Sequence, residues 1–127
     1  MSAGRLELTR FVEVTSTNAA RLYGLYPRKG AFIPGESDAD LVIWYPEGKL
    51  APFQLKNEML HHNVDYSPYE GKIFKQWPRY TILRGQVVWD RDHDGLLGKP
   101  GQGHFLHRGP STLKGSLSNE PWDIHGF

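Results

Sequence analysis

Cysteine is missing from the 127-residue sequence. Its absence excludes disulfides, thiolate catalysis and zinc sites built on cysteine, and it fits a protein of the reducing cytoplasm. No apolar run approaches the roughly 18 residues that a membrane-spanning helix needs. The opening MSAGRLELTR has no apolar stretch of the kind that a secretory signal carries. We therefore expect a cytoplasmic protein with no membrane partner.

An excess of charge of one sign is also missing. The chain has 15 Lys and Arg against 14 Asp and Glu, which gives a net charge of +1 and no signal for a nucleic-acid partner. Two catalytic signatures are missing as well: the G-x-S-x-G turn that exposes a nucleophilic serine, and the Gly-rich loop that cradles phosphate. The sequence therefore gives no support for a serine nucleophile of this kind or for a phosphate-binding loop, and it leaves other functions open.

Glycine, proline and aromatic residues are abundant. The 14 Gly and nine Pro indicate many turns and short strands. Aromatic residues make up 13% of the chain and include four Trp, which is more than a disordered segment carries. A chain of this length forms one domain at most, with a small core.

The beginning of the chain has the apolar spacing of a helix. Apolar residues at i, i+3 and i+4 from Leu8 form one stripe. The hydroxyl residues at 15–17 interrupt this pattern, and we expect them to cap a second short helix over about 18–23. Gly24 is then expected to take the left-handed position that ends the second helix.

Two segments predict strands. The apolar run LVIWY at 41–45 predicts a strand that is buried on both faces. Residues 80–83 and 86–89 flank Arg84-Gly85 and predict a two-stranded hairpin, with the glycine at a turn position that needs positive φ.

The remaining segments are less regular. Residues 33–36, IPGE, predict a turn with proline at its second position. Residues 53–60 are expected to be one strand with irregular flanks, and residues 63–71 an ordered loop.

An acidic segment, DRDHDG at 90–95, matches the first half of a calcium-binding loop. Such a loop needs a bidentate glutamate at its twelfth position, where this chain has Gly101. A strand, not a helix, is predicted before it. We therefore interpret 90–95 as a solvated turn that follows the hairpin.

Histidine is the remaining candidate metal ligand. His61 and His62 are adjacent, so they would point to opposite faces of a strand. His104 and His107 would share a face only on a helix, which the neighbouring glycines disfavour. We expect surface or partly buried imidazoles and no metal site within this chain.

Charged residues precede the apolar run. Glu36, Asp38 and Asp40 resemble the paired carboxylates of an acid–base site, but we favour turn chemistry, in which such side chains bond nearby backbone amides. Arg28 and Lys29 could bind an anion. We favour the solvated ends of a loop, with Arg28 pairing to a carboxylate.

Four aromatic residues between 66 and 77 form either an interaction surface or a seam between domains. They are Tyr66, Tyr69, Phe74 and Trp77. We assign no catalytic, cofactor-binding or metal-binding residue within this chain.

Longer motifs carry a resemblance to a known family. They are GLYPRKG at 24–30, DADLVIW at 38–44, NVDYSPYEG at 63–71, and Arg84-Gly85. Their order resembles the C-terminal segment of dihydropyrimidinases and D-hydantoinases, cyclic amidohydrolases of the amidohydrolase superfamily, at the point where the barrel leads into a small β domain. The resemblance covers most of residues 4–110.

The resemblance implies an α+β fold in three parts. Residues 1–25 would be short helices that end a (β/α)8 barrel. Residues 26–110 would form the C-terminal half of the small β-sandwich domain, and residues 111–127 would be an extended or mobile tail. Its partners would be the barrel domain of its own chain and the neighbouring subunits of a homo-oligomer.

The resemblance also implies a chemistry. The family uses two zinc ions on its barrel to activate water for attack on a cyclic amide. Its ligands are a His-x-His pair, a modified lysine, two further histidines and an aspartate. They lie before the segment that matches, and no position here matches them.

This chain would therefore be a non-catalytic C-terminal fragment that serves folding and subunit contacts, with Met1 marking a cut into a longer chain. One alternative is the C-terminal part of a non-enzymatic, dihydropyrimidinase-related scaffold protein. The other is a free-standing small interaction domain.

Overall fold

The computed structural model describes residues 6–93 and 95–113. It contains two compact units, one made of the chain up to Asp40 together with the chain from Gly101 onward, and the other of Leu41–Pro100. The first holds short helices and irregular segments, and the second holds antiparallel strands. This mixture agrees with the α+β expectation. Most of the expected tail, residues 114–127, lies outside the described residues.

The helices of the first unit follow one another without a break. Helix α1 is Leu8–Val12, a π-helix covers Glu13–Thr17, and helix α2 is Asn18–Leu22. The predicted interruption at 15–17 is therefore wrong, since the chain passes through these residues in a wider helical turn.

The hydroxyl groups at 15–17 explain this difference. The Thr15 hydroxyl donates a hydrogen bond to the carbonyl of Phe11 at 2.7 Å, and the Thr17 hydroxyl donates to the carbonyl of Gly30 at 2.7 Å. Threonine can bond backward to a carbonyl one turn earlier, which tends to bend a helix without ending it. Neither hydroxyl caps an amide of α2.

Gly24 follows the end of helix α2 in the left-handed conformation, as predicted, with φ of +67°. The amide of Leu25 donates to the carbonyl of Ala20 at 2.8 Å, which is the bond of a left-handed helix terminus. The amide of Gly109 also donates to the Gly24 carbonyl at 2.8 Å, and a Cβ on Gly24 would lie 1.9 Å from the Gly109 oxygen. Only glycine fits this close approach.

The predicted turn at 33–36 is confirmed. The amide of Glu36 donates to the carbonyl of Ile33 at 3.1 Å, and Gly35 has φ of +83°. The hydroxyl of Ser37 fixes this turn, because it accepts the Ile33 amide at 3.1 Å and donates to the Pro27 carbonyl at 2.8 Å.

The second unit contains a four-stranded antiparallel sheet in the order β1-β4-β5-β6 and a separate two-stranded pair, β2-β3. The strands are β1 Leu41–Trp44, β2 Phe53–Gln54, β3 Ile73–Phe74, β4 Pro78–Leu83, β5 Gln86–Asp90 and β6 Gly95–Leu96.

The hairpin and the loop are confirmed, whereas the strand expected within 53–60 is limited to Phe53–Gln54. Strands β4 and β5 join through Arg84 and Gly85, which both have positive φ, at 47° and 78°. Residues 63–71 form a loop. Strand β2 stops at Gln54, and a 3-10 helix, Asn57–Met59, follows it.

The prediction that 41–45 is buried on both faces is wrong within this chain. Strand β1 lies at the edge of its sheet and pairs with β4 alone among the described strands. Val42, Ile43 and Trp44 are 49%, 45% and 41% exposed. The only buried apolar side chains among the described residues are Ala20 and Leu55. Each unit thus keeps much of its apolar surface uncovered.

Candidate functional site

The acidic segment at the end of β5 forms an ion-pair network. Asp90 is a buried residue, only 8% exposed as a whole. Its carboxylate pairs with the guanidinium of Arg79 and accepts the Asp92 amide at 3.1 Å. Asp92 lies 2.8 Å from Nε of Arg79 and accepts a hydrogen bond from the Tyr45 hydroxyl. The prediction of a solvated turn is confirmed at residues 91–93, which form a turn with Asp92 and His93 exposed. It is wrong for Asp90, which is buried, and Asp94 lies outside the described residues.

Arg79 is the residue that sequence reasoning missed. In a regular hairpin, residues at equal distances from the Arg84-Gly85 turn face each other, which would place Arg79 opposite Asp90. Opposite charges at facing positions attract. A bulge between Thr81 and Ile82 shifts the observed register by one residue, so that Tyr80 faces Asp90. Arg79 still reaches the carboxylate across this shift.

The histidines do not converge on one point. His61 packs edge-on against Trp89 with 5.0 Å between ring centroids, and Nδ1 of His62 accepts the Val64 amide at 3.2 Å. The ring of His107 lies 4.9 Å from that of Phe105.

Other donors are equally dispersed. His104 is exposed, and the carboxylates of Asp90 and Asp92 are already paired with a guanidinium. Within residues 6–93 and 95–113, no group of three or more His, Cys, Asp or Glu side chains is arranged to hold a metal ion. The donor set of the described residues therefore does not fit a zinc centre.

The two charged patterns before β1 form a single ion-pair cluster, here called the Lys29 cluster. Lys29 lies 2.9 Å from Asp38 and is also paired with Asp40, and Arg28 lies 3.3 Å from Asp38. The expected pairing of Arg28 to a carboxylate is confirmed. Glu36 is exposed and forms no ion pair with a described residue.

These pairings shift two pKa values in the Lys29 cluster. Burial acts to lower the pKa of Lys29, but hydrogen bonds to Asp40 and Asp38, with their negative charges, outweigh it and raise that pKa above the usual value. The hydrogen bond from Lys29 lowers the pKa of Asp38, and the neighbouring Arg28 adds to this effect. The cluster is held in its charged form and acts as a structural link.

Tyr45 connects β1 to the Asp90 network. Burial raises the pKa of its hydroxyl, and the hydrogen bond to Asp92 raises it further. The phenol therefore stays protonated at neutral pH and donates its hydrogen to the carboxylate.

The four aromatic residues between 66 and 77 divide into two pairs. Phe74 and Trp77 pack together with 5.4 Å between centroids, and Phe53 joins them at 5.3 Å from Trp77. Tyr66 and Tyr69 are 67% and 55% exposed. The first pair is partly buried in an aromatic cluster, and the second is available for contacts.

Two exposed apolar surfaces are the candidate contact sites. The edge surface consists of Val42, Ile43 and Trp44 on β1, and the helical surface consists of Leu8, Val12 and Leu22. The helical residues are 66%, 48% and 50% exposed. Val42 and Ile43 are adjacent on the strand and so point to opposite faces, which means that β1 is exposed on both faces. Exposed apolar side chains that lie close together are typical of surfaces that pack against a partner.

A model of the amidohydrolase family matches residues 1–88. The chain belongs to the amidohydrolase family. It is 39% identical over 108 residues to a D-hydantoinase of Ralstonia pickettii and 44% identical over 108 residues to a D-phenylhydantoinase of Escherichia coli O1:K1. The resemblance seen in the sequence motifs is thereby confirmed.

Solved structures of a hydantoinase and a dihydropyrimidinase also match this chain. A D-hydantoinase structure matches 87% of this chain with a TM-score of 0.76 and 39% identity. The dihydropyrimidinase of Brevibacillus agri matches 90% of it with a TM-score of 0.76 and 32% identity. These matches cover 23% of each of those two chains.

The match covers little of each relative. It takes 85% of this chain but 22% of the Ralstonia enzyme, and 84% of this chain but 22% of the Escherichia enzyme. The chain is thus similar to about a fifth of a hydantoinase. In the described ranges, no helix is long and apolar enough to cross a membrane.

Proposed function

We propose that this chain is the non-catalytic C-terminal segment of a zinc-dependent cyclic amidohydrolase of the hydantoinase and dihydropyrimidinase type, where it serves folding and subunit contacts. The observation that carries the proposal is the combination of a match to one fifth of each relative with apolar faces that its own residues leave exposed.

Burial supports a packing role. A self-contained domain of this size buries more than two apolar side chains, because burial of apolar surface is the main favourable term in folding. Here the edge surface and the helical surface stay exposed. Contact with further protein would remove both from water and stabilise the segment.

The charged side chains support the same role. Asp90 and Asp92 both pair with Arg79, and Asp38 and Asp40 both pair with Lys29. A general base or a metal ligand needs a lone pair directed at a substrate or an ion. Here the carboxylate lone pairs are directed at the guanidinium of Arg79 and the ammonium of Lys29, so these groups hold segments of the chain in place.

The whole protein would hydrolyse the C–N bond of a cyclic amide. Zinc, when bound, would supply a hydroxide nucleophile and polarise the carbonyl. The described residues of this chain offer no donor set for it, so its ligands would come from outside the described residues, and we assign no catalytic step to these side chains.

We further propose that the segment takes part in a homo-oligomer. Strand β1 presents its outer edge and its apolar side chains together, and an uncovered strand edge is a template for pairing with another chain. A second copy related by two-fold symmetry is the simplest such partner.

A segment exchange tests the proposed role. In the D-hydantoinase of Ralstonia pickettii, the matched 108 residues would be replaced by those of this chain, and zinc content and hydantoin ring opening measured. We expect the exchanged protein to fold, hold zinc and open the ring. Ile43→Asp in the exchanged segment should abolish assembly and activity, because it places a charge in the edge surface.

Glu47→Gln, on an exposed side chain nearby, is the matched control and should have no effect. If Ile43→Asp leaves assembly and activity unchanged, the edge surface is not a packing surface and the proposed role fails.

A further inference from the structure

The second unit contains a groove of about 660 Å³. It lies between the 3-10 helix Asn57–Met59 and the β5–β6 end of the sheet. Its walls include Trp77, Trp89, His61, Arg91, Glu58 and Met59. Small-molecule sites have volumes of roughly 300–1,000 Å³, with mostly apolar walls and a few polar groups that orient the ligand. The groove has this size, and its walls combine apolar residues with charged residues and histidines.

The indole of Trp89 is fixed on two sides. His61 packs edge-on against it at 5.0 Å. On strand β6, Gly95 has φ of +70°, and a Cβ at that position would lie 3.3 Å from Cζ3 of Trp89. Glycine therefore lets the ring lie against the strand backbone. The ring is held in place before any ligand arrives, which reduces the entropy lost on binding.

The indole of Trp77 is fixed in a similar way. It packs edge-on against Phe53 at 5.3 Å and against Phe74 at 5.4 Å. The groove thus presents two immobilised aromatic side chains. Aromatic rings prefer edge-to-face or offset contacts with other rings, and each such pair adds affinity beyond the buried area alone.

Arg91 supplies the orienting charge. Its guanidinium carbon lies 4.8 Å from the ring centroid of Phe53 and 5.7 Å from that of Tyr45. A guanidinium stacked on a ring keeps N–H donors along its edge, and these match the two oxygens of a carboxylate.

The acids near Arg91 have other partners. Asp90 and Asp92 both pair with Arg79. Glu58, on the opposite wall, is exposed and lies 3.5 Å from Lys56. No ion pair joins Arg91 to a carboxylate within residues 6–93 and 95–113. The guanidinium does hydrogen-bond the Tyr45 hydroxyl, which leaves it further N–H donors. A ligand carboxylate would give Arg91 a charged partner.

We propose that this groove binds a small aromatic carboxylate, with the ring against Trp77 and Trp89 and the carboxylate on the guanidinium of Arg91. The site is separate from the ring-opening chemistry proposed for the whole protein, and it does not depend on that proposal. It is a binding site, and no bond of the ligand is made or broken in it.

Calorimetric titration of the full 127-residue chain tests this site with three probes. Phenylacetate has both groups, 2-phenylacetamide has the ring without the charge, and acetate has the charge without the ring. We expect phenylacetate to bind at least about tenfold more tightly than either of the others, since a charge-assisted bidentate contact and a ring contact each contribute roughly that factor.

Variants separate the two contacts. Arg91→Gln should bring the affinities for phenylacetate and 2-phenylacetamide to within about twofold of each other, and Trp89→Leu should weaken both by about tenfold. Arg108→Gln changes an exposed arginine of the other unit and should alter nothing. Circular dichroism checks that each variant is folded.

Equal affinity of the unaltered chain for phenylacetate and 2-phenylacetamide would overturn the proposal, whatever the variants do. So would an undiminished preference for phenylacetate in a folded Arg91→Gln chain, because the charge would then be recognised elsewhere.

Discussion

The guanidinium of Arg79, on β4, pairs with the carboxylate of Asp90 at the end of β5, and both side chains are nearly buried, at 15% and 11% exposure. A buried charge that loses its partner is costly, because the remaining charge is neither solvated nor neutralised. This pair therefore closes the β4–β5 hairpin at the end opposite its turn.

Asp90→Asn should lower the free energy of unfolding by about 3 kcal/mol. Asp92→Ala should cost less, about 1 kcal/mol, because its side chain is 46% exposed and solvent screens the pair. Urea unfolding curves of the variants measure both losses. Glu47→Gln, on an exposed side chain, is the control. Equal losses for Asp90→Asn and the control would show that the pair does not stabilise the sheet.

Alanine substitutions at Gly30 and Gly35 test whether the backbone of Gly30 packs closely against Ala20 in the first unit. Both have positive φ, at +75° and +83°, but a Cβ on Gly30 would lie 2.4 Å from Cβ of Ala20, whereas a Cβ on Gly35 meets nothing within 4 Å. Gly35→Ala should cost only the backbone strain, about 1 kcal/mol. Gly30→Ala should cost at least about 2 kcal/mol more. Thermal unfolding of both variants measures the difference, and similar melting temperatures would contradict the contact.

We expect the ion pairs of the Lys29 cluster to make the stability of the folded chain depend on pH in the acid range. The pKa of Asp38 is lowered from 3.8 in the folded chain, so its contribution is complete above that value and is lost as the pH falls through the lower folded pKa. The difference in melting temperature between the unaltered chain and Asp38→Asn should therefore shrink below about pH 4. Asn63→Ala, which does not titrate, should give a difference that is constant with pH. A constant difference for Asp38→Asn would contradict the ion pair.

The edge surface should make the chain associate with itself. Light scattering over a dilution series at micromolar concentrations should show dimers or larger species. Ile43→Lys should shift the chain toward monomer, because a lysine on an edge strand opposes pairing. Val64→Lys is the control, since Val64 is similarly exposed, at 50%, but lies in a loop. A compact monomer that unfolds cooperatively would favour the free-standing interaction domain.

Features set by neighbouring residues were predictable from the sequence. Arg84 and Gly85 specify a hairpin turn by themselves, and Gly24 marks a position of positive φ that the structure confirms. The candidate contact surface was harder to predict. The run at 41–45 has the composition of a strand that is buried on both faces. Composition does not say whether the residues that bury it belong to this chain or to another protein surface.

Features that depend on distant partners were predicted poorly. Asp90 was interpreted as part of a solvated turn because Arg79, its partner, lies far from it in sequence. Counting pairs outward from the hairpin turn would have placed the two residues near each other. The hydroxyl of Thr17 was expected to cap a helix but donates to Gly30, which lies in a separate loop. Local propensity cannot choose between such alternatives, because the tertiary contact decides.

The central claim is that this chain contributes structure, and not chemistry, to a cyclic amidohydrolase. The most direct measurement combines the zinc content of the purified chain with its rate of ring opening on hydantoin and dihydrouracil, in the presence of added zinc. The account predicts no stoichiometric zinc and no ring opening above the uncatalysed rate. One or two tightly bound zinc ions together with measurable ring opening would contradict it.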